Sequence, residues 1–258
     1  FSNDEIRLKN SLKPVSSRED LFRFYSNFCG RKKAFEVFED FLASDKNILW
    51  FYARPGFGKT AFSSMLCWNY PDAIGAIHFC KFNNSDRTNS KIIFTSIAYH
   101  LSNFIPEYKT KLINLPDLDT IFEKNASRIL EYLILEQLYD IHLSKPVVII
   151  LDALDECSWR GENEICDILQ RAYRNNEIPS WLKFVITSRN EAEIRRYLLP
   201  VSQVSDALEV TSEDDLREYY HKQFPDINEE IVSRLLSKSE GSFLYASEIC
   251  KQIKSDKI

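Results

Sequence analysis

Short apolar runs recur along the first 210 residues and alternate with amphipathic stretches. Four runs are rich in β-branched and aromatic residues and are typical of strands buried on both faces. They cover 47–53, 74–82, 146–151 and 182–187, and a weaker fifth run covers 204–210. Between them, Ile93, Ile97 and Leu101 recur at helical spacing. Strands that alternate with helices predict an α/β fold with a parallel sheet.

The strand pattern stops near residue 210, and helical periodicity continues alone. Leu216, Tyr219 and Phe224 form one apolar stripe, and Asp226 with Glu229 predicts a capping box at the next helix. We therefore expect three parts along the chain. They are an N-terminal linker and helix over 1–45, an α/β core over 46–210 and a small, truncated all-helical domain over 211–258.

Composition and charge bear on whether the protein binds nucleic acid, crosses a membrane or forms disulfides. The net charge is −5 and the pI about 5.5, so the basic excess of a nucleic-acid-binding surface is absent and we expect no nucleic acid. No apolar run approaches the roughly 20 residues that cross a bilayer, so we expect no membrane segment. Six scattered cysteines without a C-x-x-C pair indicate reduced thiols and a cytoplasmic protein. Because the chain begins at Phe1, we expect it to be a piece of a longer protein.

A glycine-containing loop joins the first predicted strand to the next predicted helix. It comprises Ala53, Arg54, Pro55, Gly56, Phe57, Gly58, Lys59 and Thr60, and Ala61 follows in the helix. This order matches the phosphate-binding pattern G-x-x-x-x-G-K-[ST] (the Walker A motif), except that alanine replaces the first glycine. Gly56 and Gly58 permit a turn whose N–H groups converge on phosphates. The sequence predicts a P-loop in which Lys59 reaches the β and γ oxygens and Thr60 ligates Mg²⁺.

Acidic residues follow a second buried strand. Asp152 comes directly after 147–151, which places its carboxylate at the ligand-binding edge of a parallel sheet. We predict that Asp152 is the Walker B carboxylate and holds Mg²⁺ through water. Asp155 or Glu156 would then orient or deprotonate the attacking water, and we favour Glu156. The alternative is that these two residues are solvated loop acids or helix caps.

Another strand ends in Thr187-Ser188-Arg189. In P-loop ATPases with an added strand, this strand lies between the loop strand and the metal strand, so its end lies under the γ-phosphate. Arg189 would sense that phosphate and stabilise charge during hydrolysis, an effect worth about 10³–10⁵ in rate. The alternative is a surface arginine in a salt bridge.

Together these segments resemble NACHT domains, which belong to the STAND class of P-loop NTPases, and they are most similar to the nephrocystin-like subgroup. The matching segments are 53–60, 147–157 and 187–189, with weaker matches at Phe28-Cys29-Gly30-Arg31, at 78–82 with Arg87-Thr88, and at 241–246. The resemblance implies that Gly30 and Arg31 line the base pocket. It also places 241–246 near the adenine, with Phe243 where related switches often have proline.

The same resemblance implies a fold and a signalling function. The expected fold is a five-stranded parallel sheet of order 2-3-4-1-5, flanked by helices and followed by a helical domain. Members of this family are switches in signal transduction that ADP holds closed and that oligomerise when ATP replaces ADP. We therefore expect Mg²⁺, ATP or ADP as ligands, self-association through the NACHT domain, and effector and repeat domains elsewhere in the full-length protein. GTP is also possible as the nucleotide, because no residue in the sequence is diagnostic of adenine or guanine.

Four functions compete for this pattern. A slowly hydrolysing NTPase switch ranks first, because of the helical domain and the acidic composition. A structural module that binds nucleotide without hydrolysing it ranks second. A nucleic-acid-handling ATPase ranks third, since the net negative charge opposes it. A small-molecule kinase ranks last, because such kinases need neither the acidic run after the metal strand nor the helical domain.

Overall fold

Five parallel strands form a single sheet in the computed structural model, which describes residues 3–25, 30–207 and 213–255. The strands are β1 (Ile48–Tyr52), β2 (Ile74–Phe79), β3 (Val147–Asp152), β4 (Leu182–Ser188) and β5 (Gln203–Asp206). Their spatial order is β2-β3-β4-β1-β5, which confirms the expected α/β fold and strand order. The second strand ends at Phe79, three residues before the predicted end. Residues 208–210 of the predicted fifth strand lie outside the described residues.

Helices precede the sheet, connect its strands and follow it. Three of them, α1 (Asn3–Leu12), α2 (Arg18–Tyr25) and α3 (Lys32–Ala43), lie before β1 where we expected a linker and one helix. The connections contain α4 (Lys59–Asn69), α5 (Ser85–Thr88), α6 (Ser90–Phe104), α7 (Pro106–Ile113), α8 (Ala126–Ile129), α9 (Glu136–Leu138), α10 (Glu164–Arg174) and α11 (Ala192–Leu198). A π-helical stretch (Leu130–Leu135) joins α8 to α9, and 3₁₀ helices cover Leu118–Glu123 and Leu154–Cys157. After β5 come α12 (Glu213–Gln223), α13 (Glu229–Ser239) and α14 (Phe243–Ser255).

Several of these helices have an asparagine N-cap, whose side chain accepts hydrogen bonds from the first backbone N–H groups. Asn89 accepts from two backbone N–H groups at the start of α6, and Asn163 accepts from Cys166 at the start of α10. The predicted capping box of Asp226 and Glu229 is wrong, because Asn228 caps α13 by accepting from the N–H of Glu230. Asparagine is as good an N-cap as aspartate, so the pattern alone could not choose between neighbouring positions.

Side-chain alternation along the strands divides the core into two apolar layers. In β1, Ile48 and Trp50 belong to one layer, whereas Leu49 and Phe51 belong to the other. Such alternation follows from the two-residue repeat of a strand. Residues of α6 and α10 cover the first layer, and residues of α3 and α4 cover the second. The sheet is therefore buried on both faces, and polar groups that bind a ligand must lie at its ends.

The last three helices have an apolar cluster of their own. Its buried members are Leu216, Tyr219, Tyr220, Val232, Leu236, Ala246 and Cys250. The described cysteines, which exclude Cys29, are all free thiols. Among the described residues, no helix is both long and apolar enough to cross a membrane.

Candidate functional site

The loop between β1 and α4 has the backbone that its glycines predict. Gly56 has φ 84° and Gly58 has φ 72°, both in the left-handed region that favours glycine. Ala53 keeps a negative φ, as the replacement of the first glycine requires, and its N–H donates to the carbonyl of Ser188 at 3.1 Å. Because Ala53 is buried in the core, the extra methyl group is accommodated there. Arg54 and Pro55 lie exposed at the outside of the turn.

The Lys59 side chain extends from the start of α4 back to this loop. Its Nζ donates to the carbonyl of Ala53 at 2.8 Å and to that of Arg54 at 3.4 Å. Burial lowers the pKa of Lys59, while the charges of Asp155 and Asp152 act in the opposite direction. The ammonium group therefore lies at the loop, at the N-terminal end of a helix whose partial positive charge also favours anions.

Asp152 joins three elements through one oxygen atom. Its side chain is buried at the end of β3, and its Oδ1 accepts hydrogen bonds from Ser63 in α4 and Thr187 in β4, each at 2.7 Å. Burial raises the pKa of Asp152, and the hydroxyls of Ser63, Thr187 and Thr60 act to lower it. The predicted metal carboxylate thus lies beside the helix that begins at the loop.

Thr187 has a second contact that orders the turn after β3. Its Oγ1 accepts from the N–H of Ala153 at 2.9 Å while it donates to Asp152. Ala153 has φ 56°, an uncommon conformation for alanine, and this hydrogen bond holds it there. Neither Ser63 nor Thr187 was assigned a role from the sequence. The available signal was a hydroxyl one helical turn after Thr60 and a hydroxyl at the end of a buried strand.

The two acids after Ala153 have protein partners. The Asp155 carboxylate accepts from the backbone N–H of Arg189 at 3.0 Å and lies 3.4 Å from its Nε. Glu156 accepts from the backbone N–H of Phe82 at 2.8 Å, just beyond β2. Arg189 is half-exposed and also lies 3.8 Å from Glu191. The surface salt bridge that we considered for Arg189 is therefore present, at the same sheet edge as Asp152.

Arg31 lies at the loop itself. It is buried with φ 65°, and its guanidinium donates to the carbonyl of Phe57 and lies 4.5 Å from the centre of the Phe243 ring. Its own N–H donates to Asp215 at the start of α12. The Arg31 side chain, which we expected in a base pocket, thus contacts the phosphate-loop candidate. Phe28 and Cys29 lie outside the described residues.

The start of α14 also packs against the loop, a contact that no local pattern predicted. Leu244 donates its N–H to the carbonyl of Gly56 at 3.0 Å. A Cβ at Gly241 would lie 3.1 Å from the Phe57 ring, and one at Gly56 would lie 2.9 Å from the Leu244 Cβ. Gly56 in the loop and Gly241 before α14 therefore allow the loop and the helical part of the chain to pack closely together.

The residues that could hold a magnesium ion are Thr60 and Asp152. Within the described part of the chain, no group of three or more His, Cys, Asp or Glu residues is arranged to hold a metal ion. Mg²⁺ needs no such group, since it binds through one or two carboxylates, waters and substrate phosphates. The hydroxyl of Thr60 interacts with the Asp152 carboxylate, so the two oxygen donors are adjacent and fit this mode.

Two open clefts lie elsewhere on the surface. One of about 600 Å³ includes Lys111 and Asp140, and another of about 470 Å³ includes Cys67 and His100. Their lining residues include none from the loop. The charged and hydroxyl side chains at the sheet edge do not line either cleft.

The fold and the site define an α/β protein with five parallel strands and a cluster of charged and hydroxyl side chains at the carboxyl end of the sheet. The chain belongs to the nephrocystin 3 N-terminal family, whose family model matches residues 33–189, more than half of the chain. The match runs from α3 to Arg189 and includes the loop, Asp152 and both following acids. No curated protein matches the chain.

The raised pKa of Asp152 predicts how this residue affects stability. Burial makes the folded state hold the carboxyl proton more tightly than the unfolded chain does. The stability from this group is therefore present at low pH and is lost as pH rises through the folded pKa. We expect Asp152→Asn to raise the free energy of unfolding at neutral pH, and the gain to shrink as pH falls towards 3.8.

Urea denaturation of the variant and of the unchanged chain across this pH range measures the effect. Asp226→Asn, at an exposed position, is the control and should change little at any pH. A loss of stability at neutral pH in Asp152→Asn would show that the ionised carboxylate supports the fold.

Proposed function

We propose that this chain is a nucleotide-binding switch domain that binds ATP, or GTP less favourably, with Mg²⁺ and hydrolyses it slowly. The observation that carries the proposal is the position of Asp152. Its carboxylate accepts from Ser63 in the helix that begins at the loop, although the two residues lie on elements distant in sequence. A glycine-containing loop at a helix N-terminus and a buried carboxylate beside it are the two parts that phosphate and Mg²⁺ require.

Each residue of the loop has a distinct proposed role. The N–H groups around Gly56 and Gly58 would donate to phosphate oxygens, and Lys59 would exchange the Ala53 carbonyl for the β and γ oxygens. Thr60 and Asp152 would hold Mg²⁺, which neutralises charge between the phosphates when it is bound. Ala61 continues α4 and contributes to the N-terminal turn that faces the anion.

Arg189 and Glu156 are the proposed catalytic residues, with Asp155 as a partner of the arginine. Arg189 is half-exposed at the end of β4, between the loop strand and the metal strand. A γ-phosphate would compete with Asp155 for the guanidinium, so that the arginine reports which nucleotide is bound. Glu156 would orient the attacking water after it leaves the Phe82 N–H.

A second candidate function is a module that binds nucleotide and does not hydrolyse it. The specific observation in its favour is that the acids after Ala153 both accept hydrogen bonds from protein groups. Asp155 is engaged by Arg189, and Glu156 is engaged by Phe82. A carboxylate held in such a bond is less free to turn towards a water molecule at the γ-phosphate.

The wider setting is also proposed, on the NACHT resemblance. The chain would form part of a larger cytoplasmic signalling protein with effector and repeat domains. Exchange of ADP for ATP would drive self-association through this region. We favour this setting over a nucleic-acid-handling ATPase because the net charge of −5 opposes a nucleic-acid surface.

Lys59→Ala tests the phosphate site. At 100 times its dissociation constant a ligand stabilises a protein by about 2.7 kcal/mol, which for this size is a shift in Tm of about 5–11 °C. We expect ATP or ADP with Mg²⁺ to produce this shift in the unchanged chain and in Lys145→Ala, an exposed control, but not in Lys59→Ala. Thermal unfolding with ATP, ADP, GTP and GDP measures it and ranks the bases. An equal shift in Lys59→Ala would contradict the loop assignment.

Arg189→Ala tests whether Arg189 recognises the γ-phosphate or has only a structural role. Because the proposed contact is to the γ-phosphate, we expect the affinity for ADP to stay within about twofold and the affinity for ATP to fall about tenfold or more, as loss of a charge-assisted hydrogen bond does. Titration calorimetry with each nucleotide measures both constants. Glu191→Gln, which removes a carboxylate near the same guanidinium, serves as control. An equal loss for both nucleotides would mean that Arg189 acts through the Asp155 pair alone.

Glu156→Gln distinguishes the switch from the non-hydrolysing module. Loss of a group that positions water lowers turnover by about 10²–10⁴, and we expect nucleotide affinity to change little. Phosphate release under single-turnover conditions measures the rate, and Glu164→Gln at the start of α10 is the control. Phosphate release that is absent from the unchanged chain as well would select the second candidate.

A further inference from the structure

A buried arginine connects the loop to the last helix. The guanidinium of Arg31 donates to the Phe57 carbonyl on one side and lies over the Phe243 ring on the other. Tyr219 packs edge-on against the same ring, with centroids 5.9 Å apart. The Phe243 ring thus lies between an arginine and a tyrosine, and both contacts fix its orientation.

Two successive loop carbonyls accept hydrogen bonds from donors outside the loop. Leu244 donates its N–H to Gly56, and Arg31 donates to Phe57. In a planar trans peptide the N–H points opposite to the C=O. The carbonyls held by these partners therefore direct the N–H groups of Phe57 and Gly58 away from Arg31 and α14. The Phe57 N–H donates to the Arg54 carbonyl at 3.4 Å, so the Gly58 N–H is the donor that this arrangement orients for an anion.

We propose that Phe243 is a positioning residue for the phosphate loop: its ring holds the Arg31 guanidinium against the Phe57 carbonyl and so aims loop N–H groups at the nucleotide phosphates. The proposal rests on the proposed nucleotide binding and extends it from the loop to the helical part of the chain. Donors that are already oriented bind an anion without a further entropic cost, which is the general benefit of preorganisation.

The same geometry gives α14 a function that its own sequence does not reveal. Phe243 itself need not touch the nucleotide, because it acts through Arg31. The helical part would then support the affinity of a site whose proposed phosphate and metal contacts lie in the α/β core. Removal of the ring face should loosen the loop even when no nucleotide is present.

Phe243→Leu removes the ring face and keeps an apolar side chain. We expect its affinity for Mg²⁺-ADP to fall about 3- to 30-fold, the range from an exposed to a desolvated cation–π contact. In the absence of nucleotide, hydrogen exchange of residues 54–60 should be faster than in the unchanged chain. Phe243→Tyr keeps the ring and should restore both properties to within about twofold of the unchanged chain.

Phe224→Leu is the matched control. Phe224 packs against the same apolar cluster, and the cation over its ring is Lys254. It should therefore change neither affinity nor loop exchange. Arg31→Lys, which keeps the charge and loses the planar guanidinium, should act like Phe243→Leu, and it carries the same test if that variant does not fold.

Each outcome decides the proposal. Unchanged affinity and exchange in Phe243→Leu, or a failure of Phe243→Tyr to restore them, would overturn the positioning role, as would an equal effect in Phe224→Leu. If the unchanged chain binds no nucleotide, the proposed function fails. The exchange of 54–60 then decides positioning by itself, with faster exchange in Phe243→Leu supporting it and unchanged exchange refuting it.

Discussion

The candidate site depends on one buried carboxylate, that of Asp152. A charged group in a core costs free energy unless hydrogen bonds compensate for the lost water. Ser63 and Thr187 supply two such bonds from a helix and from a neighbouring strand, and these bonds offset part of the cost. The oxygen atom thereby joins α4, β3 and β4. The position of the loop relative to the sheet follows, because α4 begins where the loop ends. The carboxylate therefore organises the sheet edge whether or not a ligand is bound there.

Cations at this edge are already engaged by protein oxygens. Lys59 donates to the Ala53 carbonyl, Arg31 to the Phe57 carbonyl, and Arg189 pairs with Asp155. Under the proposed function, a phosphate would replace some of these acceptors, so the binding free energy is a difference between two sets of hydrogen bonds. The acceptor of Lys59 lies on the loop and that of Arg189 lies after β3, so a phosphate that replaced either one would act on a different part of the chain. Such an exchange of partners is the physical basis that a nucleotide-dependent switch requires.

Much of the fold and part of the site were predictable from local sequence patterns. The buried strands are continuous apolar runs, and the loop is recognisable because Gly56, Gly58 and Lys59 fall within four consecutive residues. The end of β2 was placed too late because Cys80 and Phe82 are apolar and extend the strand-like pattern on either side of Lys81 after the strand has ended. The role of Ser63 could not be predicted, since it depends on a carboxylate from a distant strand. The packing of α14 on the loop was equally hidden, because a backbone N–H such as that of Leu244 leaves no trace in the sequence.

The segment that the family model matches lacks the fifth strand of the sheet. The family match ends at Arg189, but β5 lies beyond it and pairs with β1 from Leu49 to Tyr52. A polypeptide that stopped at Arg189 would leave the backbone of β1, the strand that leads into the loop, unpaired along one side. An unpaired, apolar strand edge readily adds a strand from another molecule. The shortest fragment that folds without aggregating must therefore include β5 and extend beyond the segment that the family model matches. Fragments that end at Arg189 should aggregate before they can be assayed.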